Sequence, residues 1–307
     1  MKRTIAILLS MMMCAGLLAG CGVAPAPSDA AASAAASAAQ PASEPAEPAA
    51  PAASATGAVP TGDKPIALLI PSPVGDPFIA LCVKGLEKLS EETGAELKII
   101  ETLDKAEYED QVRAMAELGA NPVYCMWGDL SELAVKVAPE YPDTKFILAD
   151  VYMKTNQPNV SSISVDPYAA SFIAGYIAAN STEVGKVGFI AHADRPVSRR
   201  YRDGFIAGVH YVDESIPVEV AYVGNDQDPV KGQEVAKLMI QNNGVDLIFQ
   251  SASRSGLGVI AGCADQGIKC IGSDDWQGDV DPCVFWSALK PFDEALYVEG
   301  KSVFDGT

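Results

Sequence analysis

From Lys64 onward, short unbroken apolar runs alternate with segments whose apolar residues recur at helical spacing. This alternation restricts the fold more than any other feature of the chain. Ile66-Ala67-Leu68-Leu69-Ile70 has no polar position, as expected of a strand covered on both faces of a parallel sheet. After a turn from Pro71 to Pro77, the residues Phe78, Leu81, Cys82, Leu86 and Leu89 form one helical stripe, and Gly94 closes it. The spacing then predicts strands over Glu96 to Glu101, Pro122 to Met126 and Lys145 to Ala149, with helices over Tyr108 to Leu118 and Leu130 to Val137. A second series follows, with strands at Val187 to Ile190, Val218 to Tyr222, Asp246 to Gln250 and Lys269 to Gly272. Its helices span Tyr168 to Ala179, Ser198 to Val212, Val230 to Gln241 and Leu257 to Ala264. The expected fold class is α/β, with two doubly wound parallel-sheet lobes of about 100 residues each.

Ligands of open parallel sheets sit beyond the carboxyl ends of the strands. That rule points to the segments Pro71 to Phe78, Trp127 to Asp129, Asp150 to Tyr152, Ala191 to Pro196, Gly224 to Asp228, Ser251 to Ser255 and Ser273 to Gln277. Asp150 ends a strand and is the polar residue of the first series best placed to bind; its bland alternative is a turn cap. Trp127, just past a strand end, has few neighbours to bury it and is expected in a cleft. Phe78 lies on its helix's apolar stripe yet also in the first turn after a strand, so core and ligand roles compete. Asp274 follows an apolar strand directly, which favours binding over a solvated loop role. Arg195 and Arg254 fall on loops of the same kind. The acids Asp275, Asp279 and Asp281 crowd beside Asp274, but the D-x-[DN]-x-[DN]-G spacing of a calcium loop is missing, so calcium is the lesser reading.

The first 62 residues carry a different message. Lys2 and Arg3, the apolar run Ile5 to Met13 and the small residues before Cys21 have the order of an export signal over residues 1–20. The run is shorter than the roughly 20 residues a spanning helix needs. Residues 21–62 are almost entirely Ala, Pro, Ser and a few acids, without an aromatic or a Lys/Arg. Such a stretch cannot bury enough surface to offset its ordering entropy, and reads as a tether with a reach on the order of 120 Å when extended.

The chain has 40 acidic against 22 basic residues, a formal charge of −18, and no Lys/Arg block. Nucleic-acid binding by counterion release is therefore excluded as a working reading. Beyond Cys14 and Cys21, the remaining five cysteines show no C-x-x-C pair, which argues against zinc ribbons and disulfide frameworks. Only two histidines occur, and neither a G-x-S-x-G elbow nor an H-E-x-x-H segment is present. Gly256-Leu257-Gly258…Gly262 has its last glycine one position late for a dinucleotide fingerprint and reads as a tight helix start. No enzyme chemistry, cofactor or metal is expected.

Several segments, taken in order, resemble the basic membrane protein family of substrate-binding lipoproteins for ABC transporters, which includes purine-nucleoside receptors. Leu18-Ala19-Gly20-Cys21 resembles a bacterial lipobox. Asp76-Pro77-Phe78 with Gly85-Leu86-Glu87-Lys88-Leu89 looks like the family's first loop and helix. Ala138-Pro139-Glu140-Tyr141-Pro142-Asp143 through Phe146 to Asp150 is similar to its A-x-x-Y-P-D-x-x-F…D segment. Gly185 to Ile190, Gly204 to Gly208, Ile271-Gly272-Ser273-Asp274…Gln277 and Ser287-Ala288-Leu289-Lys290 match as well.

The resemblance implies a type I periplasmic-binding-protein fold, with a first lobe over residues 63–165 plus 283–307, a second over 166–282, and a hinge between them. The candidate ligand-binding residues are Asp76, Phe78, Trp127, Asp150, Asp274, Gln277 and Lys290, and for Phe78, Asp274 and Lys290 the resemblance implies specific roles. Asp274 and Lys290 would hold ribose hydroxyls across the gap between the lobes, and Phe78 would pack on the base. A carboxylate accepting two hydroxyl protons beside an ammonium that donates suits a sugar diol. It also implies lipidation at Cys21, extracytoplasmic anchoring to the cell membrane, and an ABC permease as partner.

Departures keep the ligand open. Ile79-Ala80 follow the aromatic where nucleoside receptors carry polar residues, Trp276 replaces a frequent second acid, and an aromatic expected near Asn225-Asp226 is absent. Trp127, Trp276 and Trp286 are the substitute stacking surfaces. A sugar or other small polar ligand, a nucleoside-processing enzyme on the same frame, and a sensory lipoprotein are the rival readings. The stop at Asp305-Gly306-Thr307, in or just after a helix, leads to the expectation of a truncated reading frame.

Overall fold

The unbroken apolar runs become parallel strands because helices clamp each one from both faces. The structure, a computed structural model, describes residues 63–306; the leader, Cys21 and the tether expected over residues 1–62 lie outside the described residues. The first sheet contains β1 (Ile66–Ile70), β2 (Leu97–Glu101), β3 (Val123–Met126), β4 (Phe146–Ala149) and β5 (Val160–Ile163) in the order β2-β1-β3-β4-β5. Every pairing in it is parallel. Ile66, Leu68 and Ile70 face one core with α1 (Pro77–Thr93) and α8 (Phe292–Asp305). Ala67 and Leu69 face another with α2 (Tyr108–Glu117) and α3 (Trp127–Val137). Each fully buried Leu or Ile here contributes about 1.5–3 kcal/mol.

The second sheet repeats the plan, with β6 (Val187–Ala191), β7 (Val218–Tyr222), β8 (Leu247–Ser251), β9 (Lys269–Asp274) and β10 (Val284–Leu289) in the order β10-β9-β8-β6-β7. Val187, Phe189 and Ala191 pack against α4 (Tyr168–Ser181) and α5 (Pro196–Val212), while Ile190 packs against α6 (Pro229–Asn243) and α7 (Ser255–Gln266). The α4–α5 contact is tight enough that a Cβ on Gly208 would lie 1.9 Å from the Phe172 carbonyl oxygen. Among the described residues, no helix is long and apolar enough to cross a membrane.

The chain passes between the sheets twice among the described residues, at 164–167 and at Lys290-Pro291. The return differs from the sequence expectation, which assigned 283 onward to the first lobe. β10 hydrogen-bonds β9, with Ser287 opposite Gly272 and Leu289 opposite Asp274, so Val284 to Leu289 belong to the second sheet. The return happens at Lys290. α8 then docks on α1, where Gly85 has no Cβ to meet the Asp293 backbone, and Tyr124 donates to the Leu296 carbonyl at 2.8 Å. β5 and β10 were also not read as strands; both are edge strands at the crossings.

Candidate functional site

Strand ends from both sheets converge on one cavity of about 600 Å³, lined from the first lobe by Pro71, Phe78, Trp127, Asp150 and Tyr152 and from the second by His192, Arg195, Tyr201, Asp226, Ser251, Ser253 and Asp274, with Lys290 from the crossing. The backbone is bent for this purpose. Among the described residues, the non-glycine positions with left-handed backbone are Trp127 (φ 60), Asp150 (φ 58), Ser253 (φ 52) and Asp274 (φ 70), and all of them line the cavity. Each follows or ends a strand: β3, β4, β8 and β9 respectively. That conformation costs on the order of 1–3 kcal/mol per residue and persists only where the surroundings enforce it.

Lys290 is the charge centre. It is 2% exposed, and its Nζ donates to Asp150 Oδ1 at 2.6 Å. The ammonium also lies 4.6 Å from the Phe78 ring centroid and 5.2 Å from that of Phe292. Burial alone would lower its pKa, but the Asp150 and Asp274 carboxylates outweigh burial and raise it, so the amine stays charged.

Asp274 is neighbour to the same lysine, since the Lys290 N–H donates to the Asp274 carbonyl at 2.8 Å. Its carboxylate accepts from Tyr201 Oη at 2.5 Å and from Ser273 Oγ at 3.1 Å. Burial raises its pKa, opposed by Lys290 and by the Tyr201 hydroxyl. The Tyr201 phenol is itself pushed well above its ordinary value by burial and by the adjacent Asp274 charge, so it remains a donor. His192 is shifted down by burial, against the pull of Asp226, and is neutral near pH 7.

The expected residues thus fall into groups. Phe78, Trp127, Asp150, Asp274 and Lys290 are brought together, with the Phe78 and Trp127 rings 6.5 Å apart and 14° from parallel. The pairing across the lobes differs from expectation. Asp274 and Lys290 leave adjacent strands β9 and β10 side by side, and the carboxylate that meets Lys290 from the first lobe is Asp150.

Asp76 and Gln277 do not reach the cavity wall. Asp76 is fully buried as the N-cap of α1, its Oδ1 accepting from the Phe78 and Ile79 N–H groups at 2.9 and 3.4 Å. Gln277 turns behind the strand end, its Oε1 accepting from Gln250 Nε2 at 2.6 Å and from the Ser273 N–H at 3.1 Å. Two substitute stacking surfaces also fail: Trp276 is half exposed over Gly278, and Trp286 packs into the second lobe's core.

Tyr201 was not foreseen. Its signal in the sequence was a hydroxyl-bearing residue on the buried stripe of α5, less than two turns into a helix that follows a strand end. Among the described residues, no group of three or more His, Cys, Asp or Glu side chains is arranged to hold a metal ion.

Comparison with known proteins fits this geometry. The family described as "ABC transporter substrate-binding protein PnrA-like" matches residues 64–297. The chain belongs to this family. Basic membrane protein A2 of Borrelia garinii subsp. bavariensis is 26% identical to this substrate-binding protein over 248 residues, covering 79% of the chain and 73% of the relative. The ABC transporter nucleoside-binding protein BmpA of Lactococcus lactis subsp. cremoris is 28% identical over 156 residues, 51% of the chain and 44% of that protein. Across four basic membrane proteins the match spans 64–73% of their length. An ABC transporter solute-binding protein from Aeropyrum pernix K1 superposes with a TM-score of 0.70 at 26% identity, covering 79% of this chain and 71% of that one. The fold class expected from the sequence, two parallel-sheet α/β lobes of the solute-binding type, is the one observed.

Proposed function

We propose that this protein captures a nucleoside-like molecule between its lobes and presents it to an ABC permease, held at the outer face of the cell membrane by a lipid on Cys21. One observation carries the ligand class: Asp150, Lys290 and Asp274 stand together beside the Phe78 and Trp127 rings in a single cavity. A ribose diol matches the polar end. Two carboxylates accept its hydroxyl protons while the ammonium, with one N–H engaged by Asp150, donates its others to the hydroxyl oxygens. A heterocycle matches the aromatic end, where stacking adds to area burial. The name of the Lactococcus relative points the same way.

Transport needs no bond to be made or broken. Ligand contacts from both lobes lower the free energy of the closed form, and the permease is offered that form. Inosine, adenosine and guanosine at about 100 times Kd should stabilise the protein by about 2.7 kcal/mol, which raises Tm by about 5–11 °C for a domain of this size. A shift with free pentoses and none with nucleosides would replace the reading with a sugar receptor. Release of free base during incubation would replace it with a hydrolase.

A further inference from the structure

One polar contact joins the lobes outside the crossing segments. Gln227, on the loop after β7, donates from Nε2 to Asp76 Oδ2 at 3.0 Å and to Ser72 Oγ at 3.1 Å, both on the loop after β1. Among the described residues, no other second-lobe side chain outside the crossing segments hydrogen-bonds the first lobe. On the first lobe the contact is buried, with Ser72 2% and Asp76 0% exposed, and Gln227 reaches in from a half-buried position. A carboxylate only accepts, so the amide nitrogen must be the atom facing Asp76. None of the three residues lines the cavity.

Both ends are hydrogen-bonded within their own lobe and adjoin cavity walls. On the second lobe, the Gln227 N–H donates to Asn225 Oδ1 at 2.8 Å, and Ser255 Oγ, at the start of α7, donates to the Asn225 carbonyl at 2.7 Å. Asp226, which does line the cavity, is the residue immediately before Gln227. On the first lobe, Asp76 divides its carboxylate: Oδ1 caps the helix through the N–H of the cavity residue Phe78, and Oδ2 receives Gln227. Meanwhile Gln227 Oε1 is buried without a hydrogen-bond partner.

We propose that Gln227 and Asp76 form a latch that holds the closed form, setting how long a ligand stays without touching it. Its consequence for release rests on the receptor reading above, whereas the contact itself does not. Gln227→Glu is nearly isosteric and places two carboxylates face to face. The off-rate of inosine should then rise about 10- to 100-fold, as expected for losing a hydrogen bond to a charged group. Spin labels at Glu91→Cys and Glu234→Cys, exposed sites on the two lobes, in a Cys283→Ser background, report the opening without ligand. The ligand-free distance distribution of Gln227→Glu should move to longer distances than that of the parent.

The decisive variant combines Asp76→Asn with Gln227→Glu, which reverses donor and acceptor. The new amide at position 76 keeps its oxygen for the helix cap and donates to the new carboxylate, so distances and off-rate should return towards the parent values. Unchanged distances and off-rate in Gln227→Glu would overturn the latch. So would an opened single variant that the double exchange fails to close, because the effect would then not run through Asp76. If inosine binds no variant, the receptor reading fails on its own, and the label distances still decide the latch.

Discussion

Replacing Lys290 with methionine removes the cation from a buried anionic site while keeping most of the side chain's volume. With Lys290 2% and the Asp150 side chain 8% exposed, solvent screening discounts little of the interaction. Breaking a buried ion pair by removing one member costs about 3–5 kcal/mol, because the remaining charge is left uncompensated. The loss of packing adds little, since methionine fills the space of the lysine stem. At about 2–4 °C per kcal/mol, ligand-free Lys290→Met should melt about 6–20 °C below the parent at pH 7.5 by scanning calorimetry. The cost has a signature beyond its size. It comes from stranded carboxylates, so Lys290→Met combined with Asp150→Asn should recover a large part of it. It should also shrink on acidification, because Asp274, whose pKa is raised by burial, takes up its proton above the ordinary aspartate range. A Lys290→Met protein melting within about 1 °C of the parent, or a double variant no more stable than the single, would refute the electrostatic account of the site.

Ligand affinity should depend on pH through the same group. A carboxylate with a raised pKa protonates at higher pH than a free aspartate and then loses an acceptor, so nucleoside affinity should fall as pH is lowered through Asp274's raised range. Calorimetric titrations across pH would show it, and a Kd constant from neutral to mildly acidic pH would count against Asp274 as a contact. Gly208→Ala should lower stability by about 1–3 kcal/mol through overpacking where α4 meets α5. Because Gly208 does not line the cavity, nucleoside Kd should stay unchanged in the folded fraction.

The sheets were legible because their strands are buried on both faces, and runs such as Ile66 to Ile70 or Val187 to Ile190 have no polar residue to confuse the reading. β5 was not, because Val160-Ser161-Ser162-Ile163 is a short edge strand with polar positions. β10 was hidden by its exposed Phe285 and Leu289, which depart from the pattern of a strand covered on both faces. In the site, Trp127, Asp150 and Asp274 were found from their place at strand ends. The left-handed backbone at these cavity-lining positions was invisible, since none is a glycine that would announce it. Asp76 and Gln277 do not line the cavity: a motif fixes residue type but not direction, and their side-chain oxygens meet backbone N–H groups and amide nitrogens instead. For Tyr201, nothing in its helix's periodicity says that its hydroxyl meets a carboxylate.

The most direct test of the diol-binding site compares the tightest of the three nucleosides with its 2′,3′-dideoxy analogue by isothermal titration calorimetry. Both keep the base, so aromatic packing on Phe78 and Trp127 is common to the two. Losing two charge-assisted hydrogen bonds, at about 1.5–3 kcal/mol each, should weaken the analogue by at least about 100-fold. Analogue and parent binding within about threefold of each other would mean that Asp150, Asp274 and Lys290 hold something other than a sugar diol.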